Sequence, residues 1–525
     1  METKKNYISP VSDLKLLPKL RRWHRTLEIL PGALGWSALI LPLILSFIIP
    51  GAVATFILCF DIYWLYKALI IGYHLIQGYR SLKREIRIDW LGKCRALKVE
   101  GTTIDWRGIY NAIILATYKE EIETLRASIQ SAAAADFPQK RIIFVLATEE
   151  RDKLRARQYG EILAKEFGKH FFAFLVTEHP DHIAGEVKAK GANVTWAAKQ
   201  LRKFLDGKKI NYDNVIVTTA DADSRFHPKY FACLTYNYVI NPNRDFSSYQ
   251  PIPLYSNNIW EAPALSRILA FSSSFWQLVE ATRPWRLVNF STHAMSMKTL
   301  IEINYWYTTV VNEDSGQFWR AYFAYDGNHQ VVPMFIPVYM DAVLSENFWQ
   351  TLKSLYQQRR RWAYGVEHFS PVVLQSIQNK AVPFLSKAVK VWRLFEGNFT
   401  WATASLFIGF VAWWPIWFGG EFKNTVLGYN FPVVARFLLI LAWLGLFISA
   451  SISTLLLPPR PPKYKKAKFL EMLAQWVLVP IQAIFFSSFP ALDAQTRLML
   501  GRYLTFQVTT KKSAKGELGL ETVKS

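Results

Sequence analysis

Residues 214–223 read NVIVTTADAD, an apolar and β-branched run that ends in two carboxylates, Asp221 and Asp223. A near-continuous apolar run of this kind is typical of a strand that is covered on both faces. Three further strand-like runs precede it at residues 111–119, 141–149 and 171–178, and helical segments separate them; three of the four runs are near-continuously apolar. This β-α alternation predicts an α/β domain with parallel strands and right-handed crossovers.

Polar groups stand where the predicted strands end. Residues 117–120 (TYKE), 149–150 (EE) and 221–223 (DAD) follow three of the apolar runs. Ligands of such sheets bind at the carboxyl ends of the strands, so we expect these groups to share one site. The sequence has no GxxxxGK[ST] loop and no GxGxxG after the first strand, which disfavours a P-loop nucleotidase and a dinucleotide oxidoreductase. Carboxylates and a metal are another way to bind a nucleotide diphosphate.

Two acidic motifs are candidates for chemistry. Asp221 and Asp223, one residue apart, can hold one Mg²⁺ or Mn²⁺ through hard oxygen ligands, or they can form a solvated turn. Asn312-Glu313-Asp314 lies in a polar break after an aromatic stretch. Asp314 can act as a general base that takes a proton from a hydroxyl, or it can cap the helix that follows.

A third motif, QRRRW, begins at Gln358. Helical spacing places Gln358, Arg361 and Trp362 on one face. An arginine can bind a diphosphate through two hydrogen bonds, and a tryptophan offers a flat apolar face to a sugar ring. The alternative is a basic helix next to a membrane, with Arg359 and Arg360 against lipid headgroups.

The ends of the chain predict a membrane protein. Hydrophobic residues make up 51% of the sequence and concentrate before residue 80 and after residue 397. A bilayer core needs about 20 mostly apolar residues in a helix. Asp61, in the second apolar run, is expected to face protein rather than lipid. Five runs with tryptophan and tyrosine at their ends predict spans, at residues 27–49, 52–76, 400–418, 431–456 and 469–489.

The charge pattern predicts the orientation. The formal net charge is +22, which suits anionic lipids and a phosphate-bearing substrate; nucleic acid is disfavoured because no nucleic-acid-binding motif occurs. Basic residues flank the first two spans, from Lys15 to Arg25 and within residues 79–87, so both flanks and the middle domain are expected in the cytoplasm. The basic loop 459–468 is expected there too. The last run is then re-entrant, or a return helix follows at residues 493–506, or the basic tail is an exception to the rule.

The order DAD, ED, QxxRW, with spans on both sides, resembles the family 2 inverting glycosyltransferases of the cellulose, chitin and hyaluronan synthase type. The resemblance covers about residues 105–365 and implies a GT-A fold, a nucleotide-sugar donor and Mg²⁺ or Mn²⁺. It implies that Asp221 and Asp223 bind the metal and that Asp314 is the catalytic base. The substrate-binding residues that it implies are Thr117, Tyr118, Glu120, Glu149, Lys188, Lys190, Asn193, Asp221, Gln250, His293, Glu313, Gln358, Arg361 and Trp362.

Two positions depart from the family pattern. The second strand ends in Ala-Thr-Glu-Glu (residues 147–150) rather than in paired aspartates, which bears on the choice of nucleotide base. Thr292 replaces the glycine that the family carries in its acceptor segment, which bears on the fit of the acceptor.

The residue pattern and the resemblance together predict an organisation, and the resemblance implies an activity. We expect four regions: a basic segment with a two-span hairpin (1–85), the cytoplasmic GT-A domain (86–370), an interfacial helix (371–397) and a C-terminal membrane region with a basic tail (398–525). The interfacial helix is predicted from basic residues spaced among apolar ones, and a simple packing helix between domains is the alternative. The expected reaction is sugar transfer to a hydroxyl with formation of a β-glycosidic bond in a processive polysaccharide synthase of the cell membrane. The alternatives are a single addition to a lipid-linked acceptor, and a non-catalytic membrane scaffold or transporter.

Overall fold

The computed structural model describes residues 18–98 and 104–504. Lys15 and the basic tail beyond residue 504, both used for the predicted orientation, lie outside the described residues. Two long helices come first, α1 (Pro18–Ile48) and α2 (Pro50–Arg87). The 38 residues of α2 correspond to a rod of about 57 Å, well beyond the ~30 Å of a bilayer core. Its second half therefore reaches the domain that follows.

An eight-stranded sheet forms the centre of that domain, in the order β3-β2-β1-β4-β7-β6-β8-β5. The first four of these are the predicted strands and they are parallel, as expected. The pairs β4–β7, β6–β7 and β5–β8 are antiparallel, whereas β6 and β8 are parallel. The strands are β1 (Tyr110–Ala116), β2 (Ile142–Glu149), β3 (Ala173–His179), β4 (Val215–Asp221), β5 (Arg225–Phe226), β6 (Ser247–Tyr255), β7 (His293–Ser296) and β8 (Gln330–Met340).

Helices cover both faces of the parallel half of the sheet. Ile113 and Leu115 of β1 pack in a core with Leu125 of the first helix after that strand. Ala112 and Ile114 point to the opposite face. The fold of the domain is thus α/β, as predicted. Its helices are α3 (Trp90–Ala96), α4 (Ile122–Ala133), α5 (Lys153–Phe167), α6 (Lys190–Gly207), α7 (Tyr230–Ile240), α8 (Ala264–Ala281), α9 (Met297–Glu302), α10 (Glu313–Ala324), α11 (Phe348–Ala363) and α12 (Phe369–Gln378).

Up to residue 504 the C-terminal region continues in six α-helices, and two of its features differ from expectation. The predicted interfacial helix and the apolar run after it form the single helix α13, so the boundary expected at residue 397 falls inside one rod. No separate return helix begins at residue 493, because that residue lies within α18. The helices are α13 (Phe384–Gly409), α14 (Trp414–Phe418), α15 (Val426–Leu455), α16 (Lys468–Ala474), α17 (Val479–Ala483) and α18 (Phe489–Met499).

Four helices of the described residues are long and apolar enough to cross a membrane, or five if the bent pair Phe384–Gly409 and Val411–Phe418 is one span. The four are Leu20–Ile48, Pro50–Arg87, Val426–Leu455 and Lys468–Met499. Glycines allow close packing of these helices in pairs: a Cβ on Gly32 of α1 would lie 2.9 Å from the carbonyl oxygen of Gln495 in α18, and one on Gly72 of α2 would lie 3.0 Å from Cδ1 of Ile448 in α15. Asp61 of α2 is buried, as expected for an acidic residue in an apolar helix.

Arg267 of α8 joins the α/β domain to the C-terminal region. Its side chain is 1% exposed. The guanidinium donates to the Ala262 carbonyl oxygen at 2.7 Å, to Oε1 of Gln475 at 2.6 Å and to Oε1 of Glu471 at 2.7 Å. A buried guanidinium of this kind is costly to remove, because its acceptors then lose their hydrogen bonds.

We expect Arg267→Met to lower the free energy of unfolding by about 2 kcal/mol, since it leaves two buried acceptors without a donor. The measurement is thermal unfolding of the detergent-purified protein. Lys468→Met is the matched control: Lys468 also pairs with Glu471, which is half exposed, and the loss should stay below about 1 kcal/mol. Equal losses in the two variants would contradict the assigned role of Arg267.

Candidate active site

The two carboxylates after the fourth predicted strand occupy the centre of the candidate site. Asp221 is the last residue of β4 and pairs in register with Ala116 at the end of β1. Its Oδ1 accepts a hydrogen bond from Nζ of Lys190 at 2.6 Å, and its Oδ2 accepts one from Oγ of Ser291 at 2.7 Å. Asp223 is buried, and its Oδ2 accepts the backbone N–H of Asp341 at 3.0 Å.

Asp314 lies beside this pair. Its Oδ2 accepts the backbone N–H of Ser291 at 2.7 Å, and its Oδ1 accepts that of Ser315 at 2.7 Å. The helix-capping alternative does not hold in its simple form, because α10 begins at Glu313 and its N-cap residue is Asn312. Asp314 therefore stands in the first turn with one carboxylate oxygen turned towards the loop at Ser291.

One two-residue segment connects the three motifs. Ser291 bonds to Asp221 through its hydroxyl and to Asp314 through its amide. The neighbouring Phe290 packs edge-on against Trp362 with ring centroids 5.7 Å apart. Gln250 of β6 holds the segment: it accepts the N–H of Phe290 at 2.9 Å and donates to its carbonyl oxygen at 3.0 Å. Ser291 has a positive φ of 48°, a conformation that favours glycine.

The site is acidic around a single lysine. Glu313 is buried and lies 3.6 Å from Nζ of Lys190. Burial raises the pKa of Glu313 to about 7, with Lys190 opposing and Asp314 and Asp221 adding to the rise. Burial alone would lower the pKa of Lys190, but the attraction of Asp221 and Glu313 raises it above its usual value. Lys190 is therefore a permanent cation that balances part of this negative charge.

The predicted nucleotide-side residues cluster at the ends of β1 and β2. Glu120 accepts the hydroxyl of Thr117 at 2.8 Å and the N–H of Tyr118 at 2.5 Å. Burial raises the pKa of Glu120 to about 7, opposed by these hydrogen bonds and aided by Asp223. Glu149 forms an ion pair with Arg151, whose guanidinium stacks 4.3 Å from the centroid of the Tyr118 ring.

Two predicted residues play packing roles here. Asn193 is buried and donates to the carbonyl oxygen of Ala147 at 2.9 Å, which ties α6 to β2. His293 is buried on β7, and burial lowers its pKa to about 4, so its ring is neutral. Its Nδ1 lies 3.1 Å from the carbonyl oxygen of Ser291. Both residues contact backbone carbonyl groups near the site and so help to position the segments that carry it.

The two lysines that sequence reasoning could not separate have different surroundings. Lys188 is half exposed and pairs with Asp181 at 2.7 Å. Lys190 contacts Asp221 directly. Gly191 makes this approach possible, because a Cβ there would overlap the carbonyl oxygen of Tyr307 and lie 3.0 Å from the Cβ of Glu313.

The QRRRW motif falls in the last turns of α11. Gln358 is buried, and the carbonyl oxygen of Arg361 accepts the side-chain amide of Asn312 at 3.1 Å. The headgroup alternative for the other two arginines does not hold. Arg359 stacks between Trp362 and Trp401, at 5.4 and 4.8 Å from the ring centroids, and Arg360 forms a 3.0 Å ion pair with Asp493 of α18.

The carboxylates offer hard oxygen ligands of the type that Mg²⁺ and Mn²⁺ prefer. In the described residues, however, no group of three or more histidine, cysteine or acidic side chains is arranged to hold a metal. Asp221 and Asp223 alone are too few ligands for a closed metal site. The arrangement fits a cation that takes its remaining ligands from a bound phosphate group and water, as Mg²⁺ sites commonly do.

Sequence reasoning missed Glu367 and His368. Oε1 of Glu367 accepts the N–H groups of Val311 and Asn312 at 3.1 and 3.3 Å, and Nε2 of His368 lies 3.0 Å from the carbonyl oxygen of Asn312. These contacts fix the segment that carries Asp314. Their position just after the QRRRW motif was visible in the sequence, but their contacts, 55 and 56 residues back along the chain, were not.

The family described as glycosyl transferase family group 2 matches residues 216–485, just over half of the chain. No curated protein matches the chain. Among solved structures, the chain is similar to the mannosyltransferase PcManGT from Pyrobaculum calidifontis in complex with GDP-Man and Mn²⁺, at 13% identity and a TM-score of 0.34 over 82% of this chain and 99% of that chain. Residues 1–349 of S. aureus TarS in complex with UDP-GlcNAc give 11% identity and a TM-score of 0.32 over 78% and 98% of the two chains. At these levels of similarity no binding residue of those proteins is assigned to a position in this chain.

We expect Glu367→Ala to unfold at lower temperature than the wild-type protein, because two backbone N–H groups lose their acceptor at a cost of about 1–3 kcal/mol each when buried. Glu367→Gln keeps an acceptor oxygen and should retain most of the stability. Similar losses in both variants would contradict this role.

The same residue predicts a pH dependence. Burial raises the pKa of Glu367 from 4.5 to about 8, against the two backbone hydrogen bonds that lower it. The folded state then holds a proton that the unfolded state has lost, so this group's contribution to stability falls as the pH rises between those two values. Melting temperatures of wild type and Glu367→Gln across that window should diverge, with the wild type losing more. A constant difference would contradict the prediction.

Proposed function

The chain belongs to the glycosyl transferase family group 2 and is a glycosyltransferase with a mixed α/β sheet of the GT-A type, and on that premise we propose that it is a membrane-bound, inverting enzyme. It transfers a sugar from a nucleotide-sugar donor to a hydroxyl acceptor and forms a β-glycosidic bond. The observation that carries this proposal is the bridge at Ser291, which connects Asp221 to Asp314 and whose neighbour Phe290 contacts Trp362.

Asp314 is the general base of the proposed reaction. It takes the proton of the acceptor hydroxyl, whose oxygen then attacks the anomeric carbon from the face opposite the nucleotide. The bond between that carbon and the diphosphate oxygen breaks, and the nucleoside diphosphate leaves. One displacement of this kind inverts the anomeric centre. The hydrogen bond from the Ser291 amide keeps the Asp314 carboxylate oriented.

The charge of the leaving group is proposed to be balanced by a metal ion and an arginine. Asp221 and Asp223 would hold Mg²⁺ or Mn²⁺, which when bound stabilises the charge that develops on the diphosphate. Arg361, at the end of α11, is proposed to bind the same diphosphate, and Trp362 to pack against the acceptor sugar. Thr117, Tyr118, Glu120 and Glu149 would contact the nucleotide, as the family resemblance implies.

The proposed setting is the cell membrane with the α/β domain in the cytoplasm. The four or five apolar helices support the membrane location. Basic side chains on α2 beyond its apolar part, with Arg84 and Arg87 in its last turn, support the cytoplasmic side for the domain, since positive residues stay there. The acceptor is proposed to be a growing β-linked glycan, made processively, because the motif set with spans on both sides resembles that of polysaccharide synthases.

We expect Asp314→Asn to lower kcat by at least a hundredfold, a typical loss on removal of a general base, with little change in donor affinity. The measurement is release of nucleoside diphosphate by purified enzyme with acceptor, across a panel of nucleotide-sugars. The matched control is Asp326→Asn, on the exposed turn after the same helix, which should stay near the wild-type rate. Wild-type turnover by Asp314→Asn would remove the proposed base.

Metal removal provides a separate test. EDTA should abolish sugar transfer and added Mg²⁺ or Mn²⁺ should restore it. The carboxylates are negative like the leaving diphosphate, so a bound cation is needed to offset the charge that develops on it. Asp223→Asn should raise the metal concentration needed for half-maximal rate about tenfold, an effect expected for a lost charged ligand. Asp213→Asn, in the pair with Lys298, is the control. Full activity in EDTA would overturn the metal part of the proposal.

A further inference from the structure

The turn after α8 gathers positive charge around one carboxylate. Arg283 donates to Oε1 of Glu280 at 2.6 Å, and Nε of Arg286 donates to Oε2 of the same residue at 3.2 Å. A third guanidinium, that of Arg393 on α13, donates to the carbonyl oxygen of Trp285 at 3.3 Å. Arg283, Arg286 and Arg393 are named here the arginine cluster.

The arginine cluster is short of negative charge. Glu280 is the only acidic residue that the structure, over the residues it describes, places within ion-pair distance of Arg283 or Arg286. Arg283 is 7% exposed and Glu280 6% exposed, so water does little to screen them. The Nε of Arg283 is buried and donates to no group in the described part of the chain. The excess positive charge is carried by Arg286 and Arg393, which are half-buried and therefore open to an anion that would offset the repulsion among the three guanidinium groups.

The pKa of Arg283 reflects this excess. Burial lowers it most; Glu280 opposes that effect, and Arg286 and Arg393 lower the pKa further. Lys390, one helical turn before Arg393, adds another cation and lies about equally close to the Phe318 and Tyr322 rings, at 5.1 and 5.2 Å from their centroids. The surroundings of the cluster thus supply aromatic faces and a carbonyl oxygen, but one carboxylate in total.

The cluster lies between two candidate membrane helices. Next to Arg283, Thr282 forms a 2.8 Å hydrogen bond with Nδ1 of His74 on α2. The contact of Arg393 places α13 on the other side. Trp285 and Trp392 are 61% and 63% exposed. Exposed tryptophans beside apolar helices are typical of the interface between a membrane and water, where lipid headgroups lie.

We propose that the arginine cluster binds the phosphate group of an anionic phospholipid headgroup. Guanidinium groups form paired, charge-assisted hydrogen bonds with phosphate oxygens. The acyl chains of such a lipid would lie along the outer face of α2, where Tyr66, Leu69 and Tyr73 are exposed. The proposal rests on the membrane-bound arrangement proposed above and names a lipid that this arrangement uses.

The test is native mass spectrometry of the full chain with phosphatidylglycerol and, in parallel, phosphatidylcholine. Arg286→Gln combined with Arg393→Gln removes two charges but leaves the pair of Arg283 and Glu280 in place. Lys465→Gln combined with Lys466→Gln removes two charges from the exposed basic loop as the matched control. The arginine variant should bind phosphatidylglycerol about tenfold more weakly, since each basic residue near an anionic lipid surface adds to the attraction. The lysine variant should bind like the wild type.

Three results would overturn the proposal. The first is equal binding of the two lipids by the wild type, and the second is an equal loss of binding in the two variants. The third is displacement of the lipid by inorganic phosphate at millimolar concentration, which would indicate a site for free anions. Carbonate extraction of cell membranes, run on the same preparations, separates the two levels of inference. Release of the wild type into the soluble fraction would refute the membrane arrangement itself. Retention of the wild type with any of the three results above would refute the lipid site alone.

Discussion

The hydrogen bonds of Ser291 are the constraint on which the candidate site depends. Asp221 lies at the end of β4 and Asp314 at the start of α10. Two carboxylates from separate elements repel each other, so their proximity needs hydrogen-bond donors between them. The Ser291 hydroxyl and amide satisfy both. Because Gln250 of β6 binds the backbone of Phe290 and Thr292, on either side of Ser291, the loop is attached to the sheet. A loop in a left-handed conformation needs support of this kind to persist.

Electrostatics explains why the acidic groups can share a buried space. Carboxylates that are close together repel one another, and burial weakens their hydration. Lys190 offsets part of that cost through its contacts with Asp221 and Glu313. The remaining negative charge makes the site receptive to a further cation.

Contacts between the α/β domain and the apolar helices run through a few long elements. Helix α2 extends past the bilayer thickness and packs its second half, through Leu75 and Leu82, against the core below β6 and α8. Arg267 connects α8 to the last apolar segment, and Arg360 of α11 pairs with Asp493 of α18. The QRRRW helix is therefore attached to the C-terminal helices directly. The candidate site and the apolar helices are thus packed together as one structure, through direct contacts between α11 and α18 and between α8 and α16.

The sequence by itself determined the parallel half of the sheet, because β1, β2 and β4 are almost fully buried and carry near-continuous apolar runs, and the edge strand β3 follows in the same β-α alternation. It also determined the apolar helices and the three motifs. It could not reveal β6 and β8, since both contain prolines that argue against strands, or β7, which is only four residues long.

Only the tertiary structure decided which side chains meet. It separated Lys190 from Lys188, turned Arg359 and Arg360 inward and brought Glu367 to the segment of Asp314. These choices depend on contacts between residues far apart along the chain. A local pattern of residue types carries no information about such contacts, because the same helix face can meet water, lipid or protein.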